Sequence, residues 1–315
     1  MQSGYDPRMY SYRHAFHAGS HADVLKHAVL IAILEHMTQK DAALTVVDTH
    51  AGAGLYRLDG DYAGTSGEAA DGVVKLFAAL AKPGKSAAAI KEIAPMIQAY
   101  MELVASFNPK GTLKIYPGSP FVVQKLLRVE ARDKLKLFEM HPTDSKALAA
   151  NIAQLEAGRQ IAGARADGFE GLKAFLPPPS RRGLVLIDPS YEIKSDYQKV
   201  ATCIQDSLKR FATGTYAVWY PVIPRPEAHD LPRRLKTLAN QAGKPWVHAT
   251  LAIGQDEHRN QPGETEPRGQ GLTASGMFVV NPPHTLKPAL AIALPQLVET
   301  LGRGRGQGHA VESGG

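Results

Sequence analysis

The sequence predicts an α/β fold built on an open, seven-stranded, mostly parallel sheet with a small helical insertion. Three observations carry that expectation. Short runs end in acids at Asp48, Glu139, Asp167 and Asp188, and the ends of strands are where open α/β sheets hold their ligands. The run Leu184-Val185-Leu186-Ile187 is apolar without alternation, as in a parallel strand covered on both faces. The first acid is followed by Thr49-His50-Ala51-Gly52-Ala53-Gly54, whose glycines let a turn pass close to a bound molecule.

At 315 residues and 44% hydrophobic, the chain is long and apolar enough for a substantial core. Its formal charge of +6 fits an anionic partner such as nucleic acid, and fits a solubility feature equally well. Cys203 is the single cysteine, so no intramolecular disulfide forms and a reducing cytoplasm is expected. The N-terminus lacks the apolar core of a signal peptide, and no apolar stretch approaches the roughly 20 residues of a membrane span. A soluble protein with no membrane partner is expected.

Taken in order, residues 10–27 form an aromatic and basic segment with four histidines. Three readings compete for it. A metal site at His14, His17, His21 and His27 has no cysteine beside it and matches no standard zinc spacing, so no metal is expected. The histidines are otherwise core or surface residues, or part of a tail facing RNA or a cofactor. In that last reading Tyr12 stacks on a base while Arg13, His14 and Lys26 meet phosphates. A helix then opens at Ser20 or Asp23, with Val24, Leu25, Ala28, Val29, Ala32 and Ile33 at helical spacing.

Residues 57–118 read as a helical insertion, with helices near 67–81 and 86–107, inside a main domain of residues 1–56 and 119–315. Ser119-Pro120 predicts a helix with serine as its N-cap and proline at its first position. The next strand is Leu135 to Glu139, and the run from Ala164 to Asp167 is another strand end. Residues 177–182 are a rigid basic loop, able to touch phosphate or simply solvated. A helix over 197–211 leads to a fifth strand, 215–220. Strands at 246–253 and 275–281, joined by a polar loop, form an expected antiparallel pair. The tail from Gly302 is too glycine-rich to predict structure.

The chemistry follows from the strand ends. The turn at 51–54 lacks a full G-x-G-x-x-G, so no pyrophosphate cradle is specified and an NAD enzyme is disfavoured. S-adenosylmethionine has no pyrophosphate. A glycine turn at Gly52, an acid for the ribose at Glu139 and further polar strand ends suit it, which makes the predicted class a Rossmann-like, class I S-adenosylmethionine-dependent methyltransferase. Asp188-Pro189-Ser190-Tyr191 suits methyl transfer to an exocyclic amine, whose lone pair is delocalised into its ring. Asp188 and the Pro189 carbonyl would accept the two amine hydrogens, and Tyr191 would stack on the base. A base within a helix must first be flipped out.

The segments Ser11–His14, His17–His27, Asp48–Gly54, Tyr116–Pro120, Lys209–Gly214 and Thr273–Met277 resemble the bacterial 23S ribosomal RNA adenine-N6 methyltransferase J family, and the likeness runs from about Met9 to His309. The resemblance implies a catalytic acceptor at Asp188 and an S-adenosylmethionine site lined by His27, His50, Ser119, Glu139, Asp167 and Gly168. It implies that Tyr12 contacts RNA, that His14 and Lys26 lie near the substrate, and that 23S rRNA is methylated naked or partly assembled. No obligate protein partner is inferred, and a monomer is expected. The family usually has a second proline where this chain has Ser190; activity is expected to survive with a less rigid loop. Two alternatives stay open: a DNA adenine or guanine-N2 methyltransferase of the same fold, and a non-catalytic RNA-binding protein with a vestigial cofactor pocket.

Overall fold

The computed structural model describes residues 17–59, 68–80, 92–255 and 271–315. Its centre is an eight-stranded sheet. Five strands run parallel: β1 (Thr45–Asp48), β4 (Lys134–Phe138), β5 (Ile161–Ala164), β6 (Gly183–Ile187) and β7 (Thr215–Pro221). Three antiparallel strands extend it: β8 (Trp246–Gln255), β9 (Ala274–Val280) and β10 (Arg305–Gly314). The order across the sheet is β10-β8-β9-β7-β6-β1-β4-β5. A hairpin of β2 (Leu55–Arg57) and β3 (Ile115–Pro117) stands apart from it.

Both faces are covered, which is why the strand sequences are apolar without alternation. Val46, Leu135, Leu184 and Leu186 pack in one hydrophobic cluster with α1 (His21–Met37), α3 (Pro95–Ser106), α4 (Ser119–Leu126) and α9 (Leu286–Leu301). Val47, Val185, Ile187 and Val218 point the other way, into a cluster with α7 (Ser195–Arg210) and α8 (Pro226–Gln241). Two smaller helices, α5 (Pro142–Ala153) and α6 (Gly168–Gly171), follow β4 and β5. No helix among the described residues is long and apolar enough to cross a membrane.

Helix α1 departs from the one-sided stripe its sequence suggests. Ser20 caps it, its hydroxyl oxygen accepting from the Asp23 N–H, and from His21 to Leu34 all but Ala32 are buried. The cause is its position: α1 lies between the sheet and the helices α3, α4 and α9. Four polar residues of its first two turns, His21, Asp23, Lys26 and His27, are therefore inside the protein.

The stretch between β1 and α4 contains a wide i→i+5 turn (Ala70–Val74), the short helix α2 (Lys75–Leu80) and α3, with the β2–β3 hairpin at its base. The expected helix start at Ser86 lies outside the described residues. Three expectations need correction. The sheet has an eighth strand, because the glycine-rich tail pairs along β8 from Arg305↔Gln255 to Gly314↔Trp246. Main-chain hydrogen bonds to an open sheet edge are indifferent to side chains, so composition alone misjudged it. The α4 start is capped by Gly118, with Ser119 one position inside the helix and Pro120 at the second. Finally, β5 ends at Ala164, so Asp167 is the N-cap of α6 and not the last residue of a strand.

Candidate active site

The register places the acids along one edge. Asp48 pairs with Leu137 on one side and Leu186 on the other, so Glu139 and Asp188, each two residues further on, leave the sheet beside it. A cavity of about 200 Å3 opens there, lined among others by His50, Gly52, Ser119, Glu139, Asp167 and Asp188. A second cavity, of about 150 Å3, has Trp219, Pro221 and Leu272 as its apolar wall. Lys26, Asp188 and Ser190 line both, so the Asp188 carboxylate stands at the partition.

Each group at the larger cavity is held by its neighbours. Glu139 accepts from the Gly52 N–H (2.8 Å) and the His141 N–H (2.7 Å), one on each oxygen, which leaves further lone pairs for a ligand hydroxyl. Burial pushes its carboxyl above the usual range. Asp167 uses Oδ1 on the Phe169 N–H at 2.8 Å. Gly168 packs so tightly that a Cβ there would come within 2.0 Å of the Thr49 carbonyl oxygen. Gly52 has φ of +59°, and a Cβ would meet the Tyr56 hydroxyl at 2.3 Å. These glycines keep the cradle open and the backbone close, and the acids offer acceptors to hydroxyl and amino groups. The residues present thus fit an adenosyl group without a pyrophosphate.

Beneath the cavity floor lies Asp48, fully buried. It accepts from the Ser119 hydroxyl (2.6 Å) and the His50 N–H (3.2 Å), and burial pushes its carboxyl up to about 6. Burial takes the His50 imidazole down to about 4, so it is neutral at pH 7. Thr49 donates its hydroxyl to the Leu186 carbonyl (3.0 Å), which makes His50 Nδ1 the donor to Thr49 Oγ1 (2.8 Å) and leaves Nε2 an acceptor.

At the partition, the Lys26 ammonium lies 2.5 Å from Asp188 Oδ2 and 2.8 Å from Asp23 Oδ1. Burial opposes its charge, but the two carboxylates outweigh burial and hold the ammonium well above its ordinary pKa. Asp23 is fixed in turn by the Gly19 N–H at 2.9 Å.

Of the predicted site residues, His50, Gly52, Ser119, Glu139, Asp167, Asp188 and Pro189 line the larger cavity. Gly168 acts behind it, through its contact with Thr49. Three others stand differently. His27 is fully buried and lines neither cavity; its Nδ1 is 2.8 Å from the Tyr116 hydroxyl, with the two rings stacked. Lys26, which also lines the larger cavity, is paired with the carboxylates of Asp23 and Asp188. Tyr191 is 2% exposed, donates its hydroxyl to the Trp219 carbonyl (2.6 Å) and packs on Tyr197, so its ring is not available to a base in this arrangement. The aromatic surface of the second cavity is Trp219, legible beforehand only as a strand residue. Asp23, read only as a helix start, is the other omission. Tyr12 and His14 lie outside the described residues.

A doubly wound α/β sheet with an acid-proline-x-tyrosine loop at its carboxyl edge defines a protein of the methyltransferase class. A family model described as "Ribosomal RNA large subunit methyltransferase D, RlmJ" matches residues 41–312. The Ribosomal RNA large subunit methyltransferase J of Escherichia coli (strain K12) is 41% identical over 305 residues, which cover 97% of this chain and 98% of that protein. Its namesake in Haemophilus influenzae is 39% identical, over 93% of this chain and 94% of that one. A crystal structure of a Legionella pneumophila protein of family DUF519 is 30% identical and superposes with a TM-score of 0.77, covering 95% of this chain and 98% of its own. The chain belongs to the large-subunit ribosomal RNA methyltransferase J family.

Proposed function

We propose that this protein transfers a methyl group from S-adenosylmethionine to the exocyclic N6 of an adenine in 23S rRNA. The observation that carries the reading is the Asp188 carboxylate at the partition between two cavities, one suited to an adenosyl group and one walled by Trp219. S-adenosylmethionine, when bound, supplies an electrophilic methyl group on a sulfonium. Glu139 would accept from its ribose hydroxyls, the free oxygen of Asp167 from its adenine edge, and Gly52 would bring backbone close to it.

The target base, flipped out of its RNA, would enter the second cavity against Trp219. Because the Lys26 ammonium occupies Oδ2 of Asp188, Oδ1 is the oxygen left for the amino group. The Pro189 carbonyl takes the second amino hydrogen. With both hydrogens fixed, the nitrogen lone pair turns out of conjugation towards the larger cavity, and charge developing on nitrogen meets a carboxylate. Asp188 would thus orient the amine and stabilise its developing charge, and the proton that the methylated nitrogen sheds would leave to bulk water.

The test is labelled methyl transfer to unmodified 23S rRNA, wild type beside Asp188→Asn, with nucleoside analysis. N6-methyladenine lost in the variant is the expected result. Labelling that survives the substitution, or a different modified base, refutes the assignment; methylation of DNA in place of RNA moves it to another substrate.

A further inference from the structure

The loop after Asp188 adopts a conformation that its own sequence does not favour. Tyr191 has φ of +56°, in the left-handed region, and such strain persists only where the surroundings over-determine it. Three ties do so. The Tyr191 hydroxyl donates to the Trp219 carbonyl on β7, and its ring lies 4.6 Å from that of Tyr197 on α7. The third tie reaches the main chain: Arg225 Nη1 donates to the Tyr191 carbonyl at 3.1 Å.

Arg225 is well placed to act as a fixed point. It is half-buried and is the N-cap of α8, its own carbonyl accepting from the Ala228 and His229 N–H groups. A second link joins the same two segments, the ion pair of Lys194 with Glu227 at 3.6 Å. The hydroxyl and ring ties hold the Tyr191 side chain; among the described residues, Arg225 is the side chain that holds its main chain, at the carbonyl of the Tyr191–Glu192 peptide. A proline at 190 would fix φ near −65° from within, whereas serine leaves that bond free to rotate.

We infer that Arg225 is a positioning residue for methyl transfer, clamping the Tyr191 carbonyl so that the Pro189-Ser190 main chain stays fixed beside Asp188. The inference rests on the roles proposed above for Asp188 and Pro189. The clamp replaces the internal rigidity that a second proline would give.

The experiment compares wild type, Arg225→Ala, Arg225→Lys, Ser190→Pro and the double variant Arg225→Ala/Ser190→Pro. Two readouts are taken: kcat and KM on 23S rRNA, and hydrogen exchange of the Tyr191 and Glu192 amides in the free protein. Arg225→Ala is expected to lower kcat about tenfold or more, with KM for S-adenosylmethionine little changed, and to speed exchange. Arg225→Lys should fall between. In the double variant, Ser190→Pro should restore most of the kcat lost in Arg225→Ala. Wild-type kcat and exchange in Arg225→Ala would overturn the inference. So would a salt-dependent rise in KM for RNA at constant kcat, which marks a phosphate contact, or a loss that proline does not repair. If wild type transfers no methyl to 23S rRNA, the proposed reaction falls by itself and exchange alone decides the clamp.

Discussion

Replacing Lys26 by methionine keeps the bulk of the side chain and removes the cation from between two carboxylates. The Lys26 side chain is 5% exposed, and those of Asp23 and Asp188 are 3% and 12% exposed. Removing one partner of a buried ion pair costs about 3–5 kcal/mol, because the charge left behind has lost its compensation. With about 2.1 cal/mol/K of unfolding entropy per residue, a 315-residue chain shifts by about 1.5 °C of Tm per kcal/mol, so Lys26→Met should lower Tm by about 5–8 °C. Asp23 keeps the Gly19 N–H, so most of the effect falls on Asp188. The double variant Lys26→Met/Asp188→Asn removes the stranded charge and should regain most of the lost Tm while staying inactive. Scanning calorimetry at neutral pH, with methyl transfer measured on the same samples, separates the two effects. A Lys26→Met protein that melts with wild type, or a double variant less stable than Lys26→Met, would refute this account of the partition.

Gly168→Ala places a methyl within 2.0 Å of the Thr49 carbonyl oxygen, so α6 must shift, at a cost of about 1–3 kcal/mol. Calorimetry should then show weaker binding of S-adenosylhomocysteine; unchanged binding and Tm would count against the cradle. His50 and His248 are both held near 4 by burial, below the ordinary 6.5 of the unfolded chain. The unfolded state therefore binds more protons between these values, and stability falls as pH drops from 6.5 towards 4, by up to about 3 kcal/mol for each histidine. Urea unfolding should show that decline, and His248→Gln should flatten it. Asp48 works in the opposite sense, because a carboxyl raised to about 6 from 3.8 binds its proton more tightly when folded and loses stability as pH rises through that window. Asp48→Asn should accordingly match wild type near pH 4 and melt several degrees higher at pH 8; a Tm difference independent of pH would refute the buried charge.

The parts of the fold that sequence revealed are those where neighbouring physics and local pattern agree. The β6 run is apolar because both sheet faces are covered, and its limits fell within a residue of the expected ones. The antiparallel pair β8 and β9 was legible from the polar, glycine- and proline-containing segment that joins two strand-like runs. The β10 tail was not, since its strand exists through the edge of β8 and through contacts such as Lys236 with Glu312, distant in sequence. The β2–β3 pair was hidden for a similar reason: its strands are three residues each and are separated by residues 58–114.

At the site, the carboxylates were legible because strand ends announce them, but their settings were not. Ser119 has the sequence of an N-cap, yet its hydroxyl serves Asp48, from β1, in preference to the helix end it occupies. Lys26 sits in a helical stripe that would ordinarily present it to solvent, and is instead buried against an acid 162 positions away. Tyr191 takes a backbone conformation disfavoured for an aromatic residue. In each case a local preference is overruled by a partner from another element: Asp48 for Ser119, Asp188 for Lys26, and Trp219 with Arg225 for Tyr191. A sequence read one window at a time cannot weigh such partners, so its local rules fail where the chain spends stability to hold charged and polar groups in place. Those failures mark the site independently of any motif: Ser119, Lys26 and Tyr191 each break a local rule within or directly against the cavities that Asp188 divides.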